Sequence, residues 1–304
     1  MVDVVSFEDA DGLLGWLGVA RAIEAGHRLS RAQTEDVILR RGPDTLLNRS
    51  AWIDGLGVAV KVCTIFPGNA ARGAPTIDGA VNLCSDGDGA LEAVIDFRLV
   101  TKWKTAADSL LGALRLARPD SERVLVVGAG TVARTLIDAY AAGFPQARFS
   151  VWSRTPASAE RLAAERPGVA VAHDLERAVR EAQIVTSATM ATEPLIRGDW
   201  LAPGTHLDLI GAFRPDMREA DDEALARARI FCDSRKTAGE TGEVLLPLAS
   251  GAIDAGAVLA DLYEPEGMRR GGDEEVTLYK NGGGAHLDLM VGRHVLDAWR
   301  AARA

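Results

Sequence analysis

Arg123-Val124-Leu125-Val126-Val127-Gly128-Ala129-Gly130-Thr131-Val132-Ala133 decides how this chain folds. The aliphatic run predicts a strand, and the glycines after it predict an abrupt turn into a helix. Gly128 allows the tight turn, Gly130 lets the backbone approach a pyrophosphate, and the small Ala133 lets helix and strand pack closely. An anion there meets the unpaired N–H groups and the positive dipole end of the helix, so the loop with Gly128 and Gly130 is expected to bind a dinucleotide. The flanks support the motif: Val132, Leu136, Ile137 and Tyr140 form an apolar helical stripe, and Phe149-Ser150-Val151-Trp152 predicts a second strand. That strand ends in Ser153-Arg154-Thr155, where an NAD site usually places an acidic residue against the ribose hydroxyls. Two hydroxyls and a guanidinium instead suit a 2′-phosphate through charge-assisted hydrogen bonds. NADP(H) is therefore the preferred cofactor, with NAD(H) as the second choice.

The rest of the composition narrows the class. At 304 residues the chain can bury a large core or two smaller ones. A net charge of −9 argues against a nucleic-acid partner, since phosphate binding is driven by clustered Lys and Arg. No apolar run is long enough to span a bilayer, and no basic segment with an apolar stretch opens the chain, so a cytosolic protein is expected. Cys63, Cys84 and Cys232 are scattered and odd in number, which suggests neither a disulfide framework nor a metal site.

From Glu122 onward strands and helices alternate. Strands are expected near Arg123 to Val127, Arg148 to Trp152, Val169 to Ala172, Ile184 to Ser187, His206 to Ile210 and Ile230 to Asp233. Helices are expected between them at Pro156 to Glu165 and Leu175 to Glu181. Such alternation implies α/β architecture with a Rossmann-type, doubly wound parallel sheet. Residues 1 to 118 read differently. A helical start over Phe7 to Ala25 gives way to β-rich segments at 58 to 66, 79 to 84 and 91 to 96, then to a helix over about Thr101 to Ala117. The cluster Asp86-Gly87-Asp88-Gly89 lacks the remaining ligands of a calcium loop and reads as a hairpin turn. A last helix, Ala285 to Ala301, is expected to return to the N-terminal part. The expected domains are 1–118 with 285–304, a β-rich α+β substrate-binding and dimerisation domain, and 119–284, the NAD(P)-binding domain.

Several separated blocks share one resemblance. Lys61 in a strand leading to Phe66-Pro67-Gly68-Asn69, the block Thr101-Lys102-Trp103-Lys104-Thr105-Ala106-Ala107 and the glycine loop resemble the ornithine cyclodeaminase/mu-crystallin family. So do Ala191-Thr192-Glu193-Pro194, Gly211-Ala212-Phe213-Arg214-Pro215-Asp216-Met217-Arg218-Glu219 and Glu275-Val276-Thr277-Leu278-Tyr279-Lys280. The resemblance implies a homodimer in which the N-terminal domain and the C-terminal helix bind substrate and form the interface. It also implies hydride transfer at a carbon–nitrogen bond beside a carboxylate.

Lys61 stands mid-strand, where a charge is costly without a partner or a task. On the residues alone it could equally reach solvent from a half-exposed strand. The resemblance makes it a substrate-contacting and catalytic lysine, holding the carboxylate or protonating the imine nitrogen. Lys104 stands where the family usually has an arginine, which exchanges a bidentate fork for a point charge. Arg49 is the expected compensating cation, with Arg40 and Arg41 as rivals. Phe213 stands two residues after Gly211, where cyclodeaminases and some dehydrogenases of the family have an acid/base aspartate. A phenyl ring transfers no proton, so hydrolytic deamination is disfavoured, and Phe213 is expected to line the substrate pocket. Thr189, at the end of the fourth strand, is a candidate cofactor contact, and the resemblance adds Thr76, Asp78, Ala129, Thr131, Val132, Ile210, Asp233 and Gly283.

The resulting expectation is an NAD(P)H-dependent reductase of a small ketimine acid of the pyrroline-2-carboxylate or piperideine-2-carboxylate type, closest to the mu-crystallin kind. The alternatives are an ornithine cyclodeaminase or alanine-type dehydrogenase, and, from another class, a cofactor-dependent small-ligand-binding protein without turnover.

Overall fold

The computed structural model describes residues 2–304. The chain forms two compact units, one of Met1–Lys104 with Gly284–Ala304, the other of Thr105–Gly283.

The first unit opens with β1 (Asp3–Val5), α1 (Phe7–Ala10) and α2 (Trp16–His27). The single helix expected over Phe7 to Ala25 is thus broken. Ser6 and Asp9 cap α1 reciprocally, and Gly12 and Gly15, poor helix formers, lie within the interruption, Gly12 in a 3-10 turn over Asp11–Leu13. Five strands follow as an antiparallel meander: β2 (Gln33–Arg41), β3 (Asp44–Ile53), β4 (Gly57–Ile65), β5 (Ile77–Cys84) and β6 (Leu91–Asp96). β1 joins the far edge in parallel to β6, giving the order β1-β6-β5-β4-β3-β2. The Asp86-Gly87-Asp88-Gly89 segment is the turn of the β5–β6 hairpin. Burial along β4 alternates, with Ala59, Lys61 and Cys63 buried and Val58, Val60 and Val62 half-buried. The lysine therefore lies on the covered face and the valines on the more open one, the reverse of an ordinary half-exposed strand.

Helix α3 (Phe97–Leu116) leads out of this sheet, and the units divide inside it, after Lys104. The boundary expected at residue 118 lies two residues past the end of the same helix. From Asp108 onward the helix is held by the second unit: Tyr279 donates to Asp108 Oδ1 at 2.8 Å, Ser109 donates to Asp208 at 3.0 Å, and Gly112 lies so close to the Tyr279 ring that a β-carbon would overlap it.

The second unit runs β7 (Arg123–Val127), α4 (Thr131–Gly143), β8 (Arg148–Trp152), α5 (Pro156–Glu165), β9 (Ala170–Val171), α6 (Leu175–Glu181), β10 (Ile184–Ser187) and β11 (His206–Leu209). It continues with α7 (Asp222–Arg227), β12 (Arg229–Cys232), α8 (Arg235–Ala238), α9 (Gly242–Ser250), β13 (Val258–Asp261) and β14 (Thr277–Lys280). All eight strands are parallel, in the order β13-β12-β14-β11-β10-β7-β8-β9. Burial of both faces explains the uninterrupted apolar reading of β7. Leu125 and Val127 join Val185, Leu207, Leu209 and Leu278 on one side, and Val126 joins Ala133, Ile137, Val151 and Leu162 on the other. The chain steps from β7 to β8 on one side and to β10 on the other, so the switch point of the sheet falls between β7 and β10.

Helix α10 (Ala285–Ala301) then returns to the first unit and covers the buried face of its sheet. Close approach needs small residues at two points. A β-carbon on Gly26 would overlap the Met290 side chain, and one on Gly292 would crowd Leu83 at 3.2 Å. No helix among the described residues is long and apolar enough to cross a membrane.

Candidate active site

The covered face of the first unit holds charges that a packed sheet normally excludes. Lys61 from β4 and Lys104 from α3 are 6% and 4% exposed, and Asp288 from α10 is 0% exposed. Lys61 Nζ lies 3.2 Å and Lys104 Nζ 2.7 Å from the same oxygen, Asp288 Oδ1. Lys61 also donates to Thr101 Oγ1 at 2.7 Å, and Lys104 to the Gly284 carbonyl at 3.3 Å. The second Asp288 oxygen, Oδ2, has no hydrogen-bond partner among the described residues. Two cations against one anion leave an excess positive charge in a dry setting, which an incoming carboxylate would neutralise. Burial lowers the Lys104 ammonium to about 8, against the opposing pull of Asp288. Burial alone would raise the Asp288 carboxyl, but Lys104 and Lys61 outweigh it and hold the group at about 2.

Arg49 extends this cluster. It stands directly opposite Lys61 in the β3–β4 register and its Nε donates to Asp36 Oδ2 at 2.8 Å. Arg40 and Arg41 lie instead at the β2–β3 hairpin tip, where Arg41 pairs with Asp44 at 3.0 Å. Thr76 is in the loop before β5, its carbonyl accepting from the Phe66 N–H, and Asp78 Oδ1 accepts from the adjacent Gly79 N–H. Asp288 is absent from the sequence-based candidates, because an aspartate on an amphipathic terminal helix reads as a solvated residue until the strand beneath it is known.

In the second unit the glycine loop leaves β7 at its carboxyl end. Gly128 has φ +115°, and a β-carbon there would stand 2.6 Å from the Ala188 carbonyl oxygen, so this position requires glycine. At Gly130 a β-carbon would meet nothing within 4 Å. Gly130 is also the N-cap of α4, and no side chain caps that helix. Open space beside an uncapped helix N-terminus, with Thr131 and Val132 in its first turn, fits a dinucleotide pyrophosphate. Ala133 is buried under β7 with Val126 and Ile137. At the end of β8, Ser153 accepts from the Thr155 N–H at 3.4 Å, Thr155 is the N-cap of α5, and Arg154 is exposed with no ion pair among the described residues. Two hydroxyls and a free guanidinium here fit a phosphate on the ribose.

Thr189 and Ile210 follow β10 and β11 at the same edge of the sheet. Asp233, at the end of β12, is fully buried, and its carboxylate accepts from the N–H groups of Ser234, Gly282 and Gly283 at 2.7, 3.0 and 2.7 Å. A fourth bond comes from Thr237 Oγ1 at 3.2 Å, and the two bonds from Gly282 and Gly283 shape the turn there, where Gly283 has φ +68°. Phe213 is 54% exposed in the loop after β11, with the Arg214 guanidinium 5.9 Å from its ring centre. His206 is a buried strand residue hydrogen-bonded to Thr277 at 3.0 Å, and burial lowers its imidazole to about 3. Among the described residues no group of three or more His, Cys, Asp or Glu could hold a metal ion.

The model of the Ornithine cyclodeaminase/mu-crystallin family matches residues 52–303. A Delta(1)-pyrroline-2-carboxylate reductase of Paracoccus denitrificans is 52% identical over 300 residues, covering 96% of this chain and 95% of the relative. Among solved structures, the Thermococcus litoralis Delta(1)-pyrroline-2-carboxylate reductase in complex with NADH and L-proline superposes with a TM-score of 0.91 at 25% identity, covering 100% of this chain and 99% of the other. An archaeal alanine dehydrogenase dimer with bound NAD gives a TM-score of 0.91 at 26% identity, covering 100% and 97%.

Proposed function

This chain belongs to the ornithine cyclodeaminase/mu-crystallin family, and from that membership we infer an NAD(P)H-dependent reductase that delivers hydride to the α-carbon of a small ketimine, beside its carboxylate. The substrate we propose is a cyclic imino acid of the pyrroline-2-carboxylate or piperideine-2-carboxylate type. The observation that carries this choice is the shared oxygen of Asp288: two buried ammonium groups on one carboxylate leave a site that accepts one more negative charge. A monocarboxylate supplies it.

In the proposed reaction Lys104 and Arg49 hold the substrate carboxylate, and Lys61 gives its proton to the ring nitrogen. The dinucleotide, when bound, supplies the hydride. Lys61 is suited to the proton because Thr101 and Asp288 fix its ammonium in place while Phe97 and the covered face of the sheet keep water away. Once the proton has left, the neutral amine regains one from solvent, and the excess charge returns for the next substrate. Phe213 offers a ring to the substrate and no acid or base at a position where cyclodeamination needs one.

NADPH is the proposed preference over NADH, supported by the unpaired Arg154 between Ser153 and Thr155. We also propose a homodimer in the cytosol. The open face of the first sheet presents Val37, Leu39 and Trp52, exposed by 49%, 57% and 53%, on one side of neighbouring strands. A second copy would cover them.

NADPH oxidation followed at 340 nm with pyrroline-2-carboxylate and piperideine-2-carboxylate tests the function. Turnover well above background with either is expected. Background rates with both, or proline and ammonia released from ornithine, would overturn the proposed substrate class.

A further inference from the structure

Glu219 is a wholly buried carboxylate that touches two loops at once. Its Oε1 accepts from Ser187 Oγ at 2.6 Å, Thr189 N at 2.7 Å and Thr189 Oγ1 at 2.7 Å, and its Oε2 accepts from Gly211 N at 2.6 Å. The donors come from the carboxyl ends of β10 and β11, two neighbouring strands whose loops are otherwise joined through backbone bonds such as Ile210 N–H to the Ser187 carbonyl and Arg218 N–H to the Ala191 carbonyl, both at 2.9 Å. Four short bonds to one carboxylate, away from water, are strong restraints.

One of the two loops abuts the dinucleotide motif. The position a β-carbon would take on Gly128 is 2.6 Å from the Ala188 carbonyl oxygen and 3.4 Å from Thr189 Cγ2. The other loop reaches Thr189 only because residue 211 is glycine. A β-carbon there would overlap the Thr189 backbone and stand 2.6 Å from Glu219 Oε1. Glu219 is itself anchored from behind. Glu243 on α9, also fully buried, accepts from the N–H groups of Glu219 and Ala220 at 2.9 and 3.0 Å. From β14, Lys280 donates to the Leu209 and Ile210 carbonyls at 2.9 and 3.3 Å.

We propose that Glu219 is the positioning residue of the dinucleotide site, fixing Thr189 against the glycine loop and holding Gly211 and Ile210 in register with it. It is wholly buried and acts through Thr189 and Gly211. The proposal rests on the reading that this loop binds NAD(P)H, and it concerns cofactor affinity, not imine chemistry.

The test is direct dinucleotide binding, by nicotinamide fluorescence with no imine present, on the full chain. In Glu219→Gln one acceptor oxygen becomes an amide donor facing an N–H, and loss of such a bond weakens NADPH and NADH binding alike by about tenfold or more. The imine KM at saturating cofactor should move less than about twofold, a split that a general loss of packing would not give. Should Glu219→Gln fail to fold, two milder changes decide. Thr189→Val, which removes the hydroxyl that donates to Glu219, should weaken dinucleotide binding. Ser187→Ala, which removes a donor lying within β10, should leave it unchanged. Unaltered dinucleotide affinity in Glu219→Gln or in Thr189→Val, or equal losses from Ser187→Ala and Thr189→Val, would overturn the proposal. A wild-type chain that binds neither dinucleotide would instead overturn the reductase reading beneath it.

Discussion

Arg49 and Lys61 stand directly across from one another on β3 and β4, two cations on the face that α10 covers. Asp36 balances the first and Asp288 is shared between the second and Lys104. Each expected effect below follows from disturbing that balance, the cofactor loop or the open face of the sheet.

Lys104 should give activity an alkaline limb. Burial lowers its ammonium to about 8, so the charge that holds the substrate carboxylate is present below that pH and lost above it. kcat/KM for a carboxylate imine is expected to fall as pH rises through about 8. Lys104→Arg keeps its charge, and the limb should move up by more than about one pH unit. An unchanged limb would place the titrating group elsewhere.

Removing the proton source should cost rate more than binding of the cofactor. Lys61→Met leaves Lys104 paired with Asp288, so the fold should survive. Steady-state kinetics should show kcat lower by about a hundred- to ten-thousand-fold with dinucleotide affinity intact. A variant within a few-fold of the wild type would rule out Lys61 as the acid.

Asp288→Asn strands two buried ammonium groups without an anion. Breaking a buried ion pair from one side costs about 3–5 kcal/mol, and thermal or denaturant unfolding should register it. The sign with pH is definite: a lysine whose folded-state pKa lies below its ordinary 10.5 makes the fold more stable as pH rises from about 8 to 10.5, because only the unfolded chain then keeps the proton. The variant should therefore recover part of its loss at alkaline pH.

Arg154→Ala should separate the two cofactors. Its guanidinium is free for a 2′-phosphate and has nothing to grip on NADH. The KM for NADPH is expected to rise by about tenfold or more while that for NADH stays constant. Equal changes for both would end the case for a phosphate contact.

Trp52→Glu places a charge in the middle of the open apolar face. Sedimentation or light scattering should show a dimer for the wild type and a shift toward monomer for the variant. A wild-type monomer would exclude the second copy from that face.

The Rossmann half of the chain was legible because its signals are local. β7, the glycine turn and α4 follow each other within two dozen residues, and burial of β7 on both faces writes itself as an unbroken apolar run. The first unit was less legible. β2 is exposed along nearly its whole length and rich in charge, so neither alternation nor apolar content marks Gln33–Arg41 as a strand. Lys61 was found and its face left open, since only the return of a helix from the far end of the chain determines which side of β4 is covered. Asp288 and Glu219 share that difficulty. Each acts on residues distant in sequence, Asp288 on Lys61 and Glu219 on Ser187 and Thr189, and no spacing rule links such partners.

The return of α10 also sets an order of events at the ribosome. The strand that carries Lys61 and the helix that carries Lys104 are made long before residues 285–301, which supply their shared anion. Until α10 is in place, those two ammonium groups have every reason to stay in water. The first unit therefore cannot close its charged face until residues 285–301 have been made.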